Sequence, residues 1–272
     1  HSGSNQTIDQ VKLFSDKVRY FVDISPSKDY PNSVRSNICE AIYHSYKSDN
    51  KGPVHINIMF REPFSEPSKV VQQSRPFIKW ESPTRHFSSE QTNFIATHLN
   101  KAKSPLLIIG NIEDPNERKS ALTVANDLCW PTFCDVSSGI SLFDIKNKIT
   151  AFYLISQIDS LKPLLEFDFV LHIGGNTVVK DIGSRLTTLH YLHIDSRPKQ
   201  HQPMNSPFIR FNIPISALLN ITAKSKKIIN TVHNDLSKKS EQCSKKLEEG
   251  RFLSEFSSIS MLLSHLTNKN FL

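Results

Sequence analysis

Residues 167–181 read FDFVLHIGGNTVVKD, and the fold turns on them. The first seven are an almost unbroken apolar run of the length and type of a strand buried on both faces. The run stops at Gly174-Gly175, the most glycine-dense place in a chain that holds only 8 glycines. A helical pattern follows at 179–189. A strand that closes on glycines and runs into a helix can bring backbone N–H groups close to an anion. The GxGxxG spacing of a dinucleotide fingerprint is absent, however, so the residues read as a tight strand-to-helix turn. Lys180 stands about one turn into that helix. A lone lysine there usually faces solvent, and only context would turn it toward a crevice.

Working outward, the same alternation repeats. Helix 89–102 leads to PLLIIG (105–110), helix 115–128 to PTFCDV (131–136), and a loop and helix at 151–166 to FDFVLHIGG. Helix 179–189 leads to YLHID (191–195), and FIRFNI (208–213) closes the series. Five strands alternating with helices predict a doubly wound α/β domain, with ligand crevices outside the strand C-termini. On the N-terminal side, VRYFVDI (18–24), a helix over 32–46 and VHINIMF (54–60) form one further β-α-β passage. VHINIMF is expected to be buried. The stretch 65–88 is rich in Ser, Pro and charge and reads as a linker. From about 214 the pattern turns helical, over 215–249 and again over 254–267.

Composition narrows the function. The formal net charge is +7, but the basic residues are spread out and not interleaved with aromatics, which argues against nucleic acid. The densest basic stretch, Lys224 to Lys246, also carries Asp235 and Glu241 and reads as a solvated helix face. No apolar run approaches the roughly 18 residues of a membrane-spanning helix. No targeting segment is visible, and the expected compartment is the cytoplasm, an organelle being possible in a eukaryote. Cys39, Cys129, Cys134 and Cys243 form no CxxC pair and read as free thiols. Cys129 and Cys134 suit a helix end and the following strand, both facing the core. The scattered histidines, among them His55, His172 and His193 on strands, read as structural. In CDVSSGI (134–140) Asp135 and two hydroxyls stand at a strand C-terminus, but the GxSxG of a nucleophile elbow is missing. HExxH, P-loop and paired-carboxylate motifs are absent too.

Taken in order, GSNQTIDQ (3–10), LFSDKVRYFVDI (13–24), GPVHINIMFREPF (52–64), LCWPTFCDVSS (128–138), FDFVLHIGGNTVVKDI (167–182) and YLHID resemble one family. It is the thiamine-diphosphate enzymes of menaquinone or phylloquinone synthesis, the 2-succinyl-5-enolpyruvyl-6-hydroxy-3-cyclohexene-1-carboxylate synthases. The resemblance implies thiamine diphosphate and Mg²⁺ as cofactors, and 2-oxoglutarate and isochorismate as substrates. The first is decarboxylated and its succinyl unit is added to the second. It also implies a homodimer or homotetramer. Residues 1–64 would be the C-terminal half of the pyrimidine-binding domain, and 65–88 a linker. Residues 89–222 would be a central Rossmann-like domain that carries no nucleotide. Residues 223–272 would be linker helices and the start of the pyrophosphate-binding domain. Asn5 and Gln6 would meet the cofactor, with Gln6 facing the reaction centre as a catalytic amide. Lys180 would bind a substrate carboxylate. The activating Glu and the metal-binding Asp and Asn of the family have no counterpart here. The resemblance therefore places no metal ligand in this sequence, and the piece alone is expected to be inactive. The sequence departs at Asp181, where relatives often carry Arg after the lysine. An acid there weakens anion binding. Two other readings are a non-catalytic binding or regulatory module built on the central domain, and an acetolactate-synthase-like enzyme.

Overall fold

The computed structural model describes residues 8–25, 31–48, 50–60, 78–81, 83–150, 152, 166–179, 190–197, 209–225, 236, 238–242 and 245. The chain divides into two compact units, His1–Thr84 and Arg85–Leu272.

In the first unit, β1 (Tyr20–Ile24) pairs in parallel with β2 (Val54–Ile58), with Tyr20 opposite Val54 and Ile24 opposite Ile58. The connection between them contains α1 (Pro31–Ile42), as a parallel pair requires a crossover. The apolar spacing over 32–46 predicts one α-helix. In the structure the α-helix stops at Ile42 and the last turn widens into a π-turn, Tyr43–Lys47, closed by the Ser48 amide on the Tyr43 carbonyl at 2.9 Å. The wider turn accompanies stacking of His44 on Tyr20, with ring centroids 5.3 Å apart. Asn57 donates across the pair to Asp23 at 2.7 Å. VHINIMF is not the buried strand its composition predicts, for β2 is only half-buried and Met59 and Phe60 are exposed. The reason is that, among the described residues, a two-stranded parallel sheet has too little packed against it to cover both faces.

In the second unit, α2 (Ser89–Lys101) starts on a capping box. The Ser88 hydroxyl accepts the Gln91 amide at 3.2 Å, and the Gln91 side chain accepts the Ser88 amide at 3.0 Å. β3 (Pro105–Ile109) follows, then α3 (Pro115–Leu128), which Asp114 caps with Pro115 at its first position. Cys129 ends α3 in the left-handed region (φ 55°) and turns the chain into β4 (Thr132–Cys134). β5 (Phe169–Ile173), β6 (His190–Ile194) and β7 (Ile209–Phe211) complete the sheet. The strand order is β4-β3-β5-β6-β7 and every pairing is parallel. This is the Rossmann-like parallel α/β architecture that the alternating pattern predicts. The helices expected at 151–166, 179–189 and 254–267 lie outside the described residues, apart from Phe152, Glu166 and Val179. Of the helical reading from 214, the structure describes a 3-10 turn (Ile215–Leu218), a short helix (Leu219–Thr222) and scattered helical residues beyond.

Both faces of β3 and β5 are buried along their whole length. On one face Leu107, Ile109, Leu171 and Ile173 pack against Ile95 and Leu99 of α2 and Val124 and Leu128 of α3. At roughly 1.5–3 kcal/mol for each large apolar side chain removed from water, this layer dominates the stability of the unit. Cys129 is buried at the helix end and Cys134 half-buried at the end of β4, and both are free thiols, as is Cys39. Burial pushes the Cys134 thiol up, only partly offset by its hydrogen bond with Ser138.

Glu117 on α3 ties the segment after β7 to the helix, its carboxylate accepting the Ile215 amide. Desolvation raises its carboxyl above the ordinary 4.5, against the lowering effect of the Ile215 and Ser216 hydrogen bonds. A raised native value means that the fold holds this proton more tightly than the unfolded chain does. The resulting stabilisation is present below about pH 4.5 and is lost as the pH rises through the native value. Glu117→Gln is expected to abolish that part of the slope. Urea midpoints of the two proteins should converge at acid pH and diverge in favour of the variant toward neutrality. Parallel midpoints across the range would remove this assignment.

Candidate functional site

β3 is the first strand of its sheet in sequence, and it lies between β4 and β5. From β3 the chain winds outward on one side to β4, then crosses back to β5 on the other. The strand order therefore reverses between β3 and β5, and in open α/β sheets a ligand crevice forms at that reversal, outside the strand C-termini. Here the two strands end in Gly110-Asn111 and in Gly174-Gly175.

The structure closes this crevice with backbone. The Gly110 amide donates to the Ile173 carbonyl at 2.9 Å, the Asn111 amide to the Asn176 carbonyl at 3.0 Å, and the Gly175 amide to the Asn111 carbonyl at 2.8 Å. The Gly174 amide is bound to the Ile194 carbonyl of β6 at 2.9 Å. Amides that could cradle a phosphate are thus engaged with carbonyls. Gly174 takes φ +80°, the left-handed region that favours glycine. Gly110 is required for a different reason, since a Cβ there would lie 1.8 Å from the Gly175 carbonyl oxygen. Among the described residues, the two loops therefore meet backbone to backbone at this strand end, where the glycines allow it.

Side chains lock the closure from both sides. The Arg197 guanidinium lies against Gly175 and donates to the Asn111 side-chain oxygen at 2.7 Å and to the Asn111 carbonyl at 2.9 Å. Its charge is met by Asp195 at 3.0 Å and Glu113 at 3.3 Å. Arg210 from β7 donates to the Arg197 carbonyl at 2.6 Å. Beneath the loops, Tyr191 and His172 are hydrogen-bonded. Burial pushes the Tyr191 phenol far up, so it stays protonated and donates to His172 Nδ1. His172 Nε2 therefore carries the hydrogen and donates to the Gly175 carbonyl at 2.9 Å. His193 Nε2 donates to the Gly174 carbonyl at 2.7 Å. These histidines are structural, as their alternation with apolar residues suggests. Among the described residues no group of three or more His, Cys, Asp or Glu side chains could hold a metal ion.

On the β4 side, Asp135 is 1% exposed, while Val136 beside it is 73% exposed. One carboxylate oxygen accepts the Ser137 amide at 2.9 Å and the Ser137 hydroxyl at 2.5 Å. The other accepts the Val178 amide at 2.9 Å, across to the loop that follows β5.

Asn5, Gln6, Lys180 and Asp181 lie outside the described residues. The structure adds Asn111, Arg197 and the clasp of Asp135 on Val178. The sequence flags Asp135 only as a polar residue at a strand end. Arg197, three residues past β6 and followed by Pro198, carries no motif. Its one signal is position, since polar residues just beyond apolar parallel strands are the ones that gather at a strand reversal.

The second unit thus belongs with the Rossmann-like parallel α/β domains. A solved structure of an enzyme from Mycobacterium smegmatis, assigned as thiamin diphosphate-dependent, shares the fold. Its TM-score is 0.51 and its identity 16%, over 82% of this chain and 42% of that one. The particular match is by sequence, to part of the 2-succinyl-5-enolpyruvyl-6-hydroxy-3-cyclohexene-1-carboxylate synthases. The chain is 28% identical over 236 residues to the synthase of Chlorobium chlorochromatii, covering 79% of this chain and 39% of that protein. It is 28% identical over 252 residues to the synthase of Pelodictyon phaeoclathratiforme, covering 86% of this chain and 41% of the relative. Protein PHYLLO, chloroplastic, of Arabidopsis thaliana is 28% identical over 253 residues, 82% of this chain and 15% of that protein. No family model matches the chain. The chain spans about two fifths of the length of the bacterial relatives it matches. No helix among the described residues is long and apolar enough to cross a membrane.

Proposed function

We propose that this chain is part of a thiamine-diphosphate-dependent synthase that decarboxylates 2-oxoglutarate and adds the succinyl unit to isochorismate. The observation that carries this reading is similarity to synthases of one name, running in one match through 95% of the chain. The reading extends to Mg²⁺ with the diphosphate, a homodimer or homotetramer, and work in the cytoplasm. The bound cofactor supplies the electron sink for the decarboxylation. The described residues at the strand reversal, whose amides are bonded to backbone carbonyls, do not fit a diphosphate.

On this reading the two units have different duties. Gln6, with Asn5 beside it, faces the reaction centre, where its amide donates to a substrate oxygen. Lys180, beyond the Gly174-Gly175 turn, binds a carboxylate of isochorismate as a point charge.

Steady-state kinetics of the full-length protein test it. Lys180→Ala is expected to raise KM for isochorismate roughly tenfold with kcat nearly retained, as expected for loss of one charged hydrogen bond. Gln6→Ala is expected to lower kcat by a similar factor. Both variants behaving as wild type would overturn the site.

A further inference from the structure

Composition marks the whole stretch 65–88 as a linker, yet among its described residues two aromatic side chains are seated, each on a different unit. The first is Trp80. Its ring stacks on Tyr43, with centroids 4.3 Å apart and planes at 28°. Tyr43 meets His44 edge to face at 5.4 Å, and His44 stacks in turn on Tyr20 of β1. The π-turn that follows α1 supplies both Tyr43 and His44. Trp80 thus closes a run of rings that starts on the sheet of the first unit. The Trp80 Nε1–H is buried and has no hydrogen-bond partner among the described residues. A buried donor left unpaired is costly, so ring contact and not a hydrogen bond keeps the side chain there. On either side Lys79 and Glu81 are exposed and pair with each other in solvent.

The second seated side chain is Phe87. It packs against the buried core of the second unit and meets Phe211 of β7 edge to face, with centroids 5.5 Å apart. Two residues earlier the Arg85 guanidinium donates to the Asn212 carbonyl at 3.4 Å. One residue later Ser88 caps α2. Between the two seats Glu81, Pro83 and Thr84 are exposed and belong to no helix or strand, and Ser82 lies outside the described residues.

We propose that the joint between the two units is confined to the four residues from Glu81 to Thr84, a short hinge pinned by Trp80 on one side and by Arg85 and Phe87 on the other. An extended chain gains about 3.5 Å per residue, so the path from Trp80 to Arg85 reaches at most about 18 Å, where an unpinned 65–88 would reach about 80 Å. Pro83 removes one further rotation, because its ring fixes φ. The Trp80 seat therefore limits how far the joint can extend.

The test is the rate at which trypsin cuts after Lys79 and after Arg85 in the full-length protein, followed by mass spectrometry, with a thermal midpoint for each variant. These two bonds flank the hinge, and a seated chain is cut at a rate that follows the population of its open form. In wild type both bonds should be cut far more slowly than in the unfolded protein. Trp80→Ala should speed the cut after Lys79 roughly tenfold, the factor that one aromatic pair can carry, with the midpoint unchanged. Trp80→Phe keeps a ring on Tyr43 and loses the unpaired donor, so it should be cut as wild type is. Wild-type cutting after Lys79 at the rate of the unfolded chain would overturn the proposal, and so would an unchanged rate in Trp80→Ala. Faster cutting throughout the chain with a lowered midpoint overturns it too, since Trp80 would then support the first unit as a whole.

Discussion

Gly110→Ala will lower the stability of the second unit by about 3 kcal/mol or more, an overpacking cost at the upper end of the usual range. The added Cβ would meet the Gly175 carbonyl oxygen at 1.8 Å, the Gly175 carbonyl carbon at 2.8 Å and His172 Nε2 at 2.8 Å. None of these can step aside cheaply. The carbonyl accepts from His172, and His172 is held by Tyr191. The Gly110 amide is itself bonded to β5. Relief therefore requires the ends of β3 and β5 to part at the middle of the sheet. Gly175→Ala makes the informative contrast. Its Cβ would meet Arg197 Nη2 at 1.9 Å, the far end of a flexible side chain. Moving that guanidinium costs its hydrogen bonds to Asn111, about 1 to 3 kcal/mol. Urea denaturation of the two variants should rank them with Gly110→Ala well below Gly175→Ala. The reverse order would mean that the backbone closure is softer than its geometry indicates.

Trp130→Ala should cost about 3–5 kcal/mol, as truncation of a large core aromatic does. Trp130 is fully buried beside Phe169, ring centroids 6.0 Å apart and nearly perpendicular, in the cluster between the sheet and its helices. Its indole Nε1–H has no hydrogen-bond partner among the described residues. Burying an unpaired donor costs roughly 1–3 kcal/mol, which Trp130→Phe would recover while losing part of the ring's packing. The two terms are similar and opposed, so Trp130→Phe should fall within about 1 kcal/mol of wild type. Denaturant midpoints for the pair decide the matter. Equal losses in both variants would show that ring shape outweighs the buried donor.

The sheet was legible because its signal is local. PLLIIG and FDFVLHIGG are apolar on both alternations, which only a strand covered on two faces can use, and both are buried throughout. The pattern over 115–128 matches α3 residue for residue, and Asp114 and Pro115 mark its start by their own conformational preferences. VHINIMF misled, because an apolar composition reports what a strand can bury and not what is there to cover it. The same limit hid the junction. Gly110 and Gly175 are 65 residues apart, and neither carries a motif.

Neighbouring residues and their periodicity were enough to order the strands and helices, to assign the parallel α/β class and to reveal the likeness to one family of synthases. The meeting of the loops after β3 and β5, and the reach of Asp135 to Val178, emerged from the fold alone. Both depend on how closely two loops approach, a distance set by packing between strands and written in no single stretch of chain.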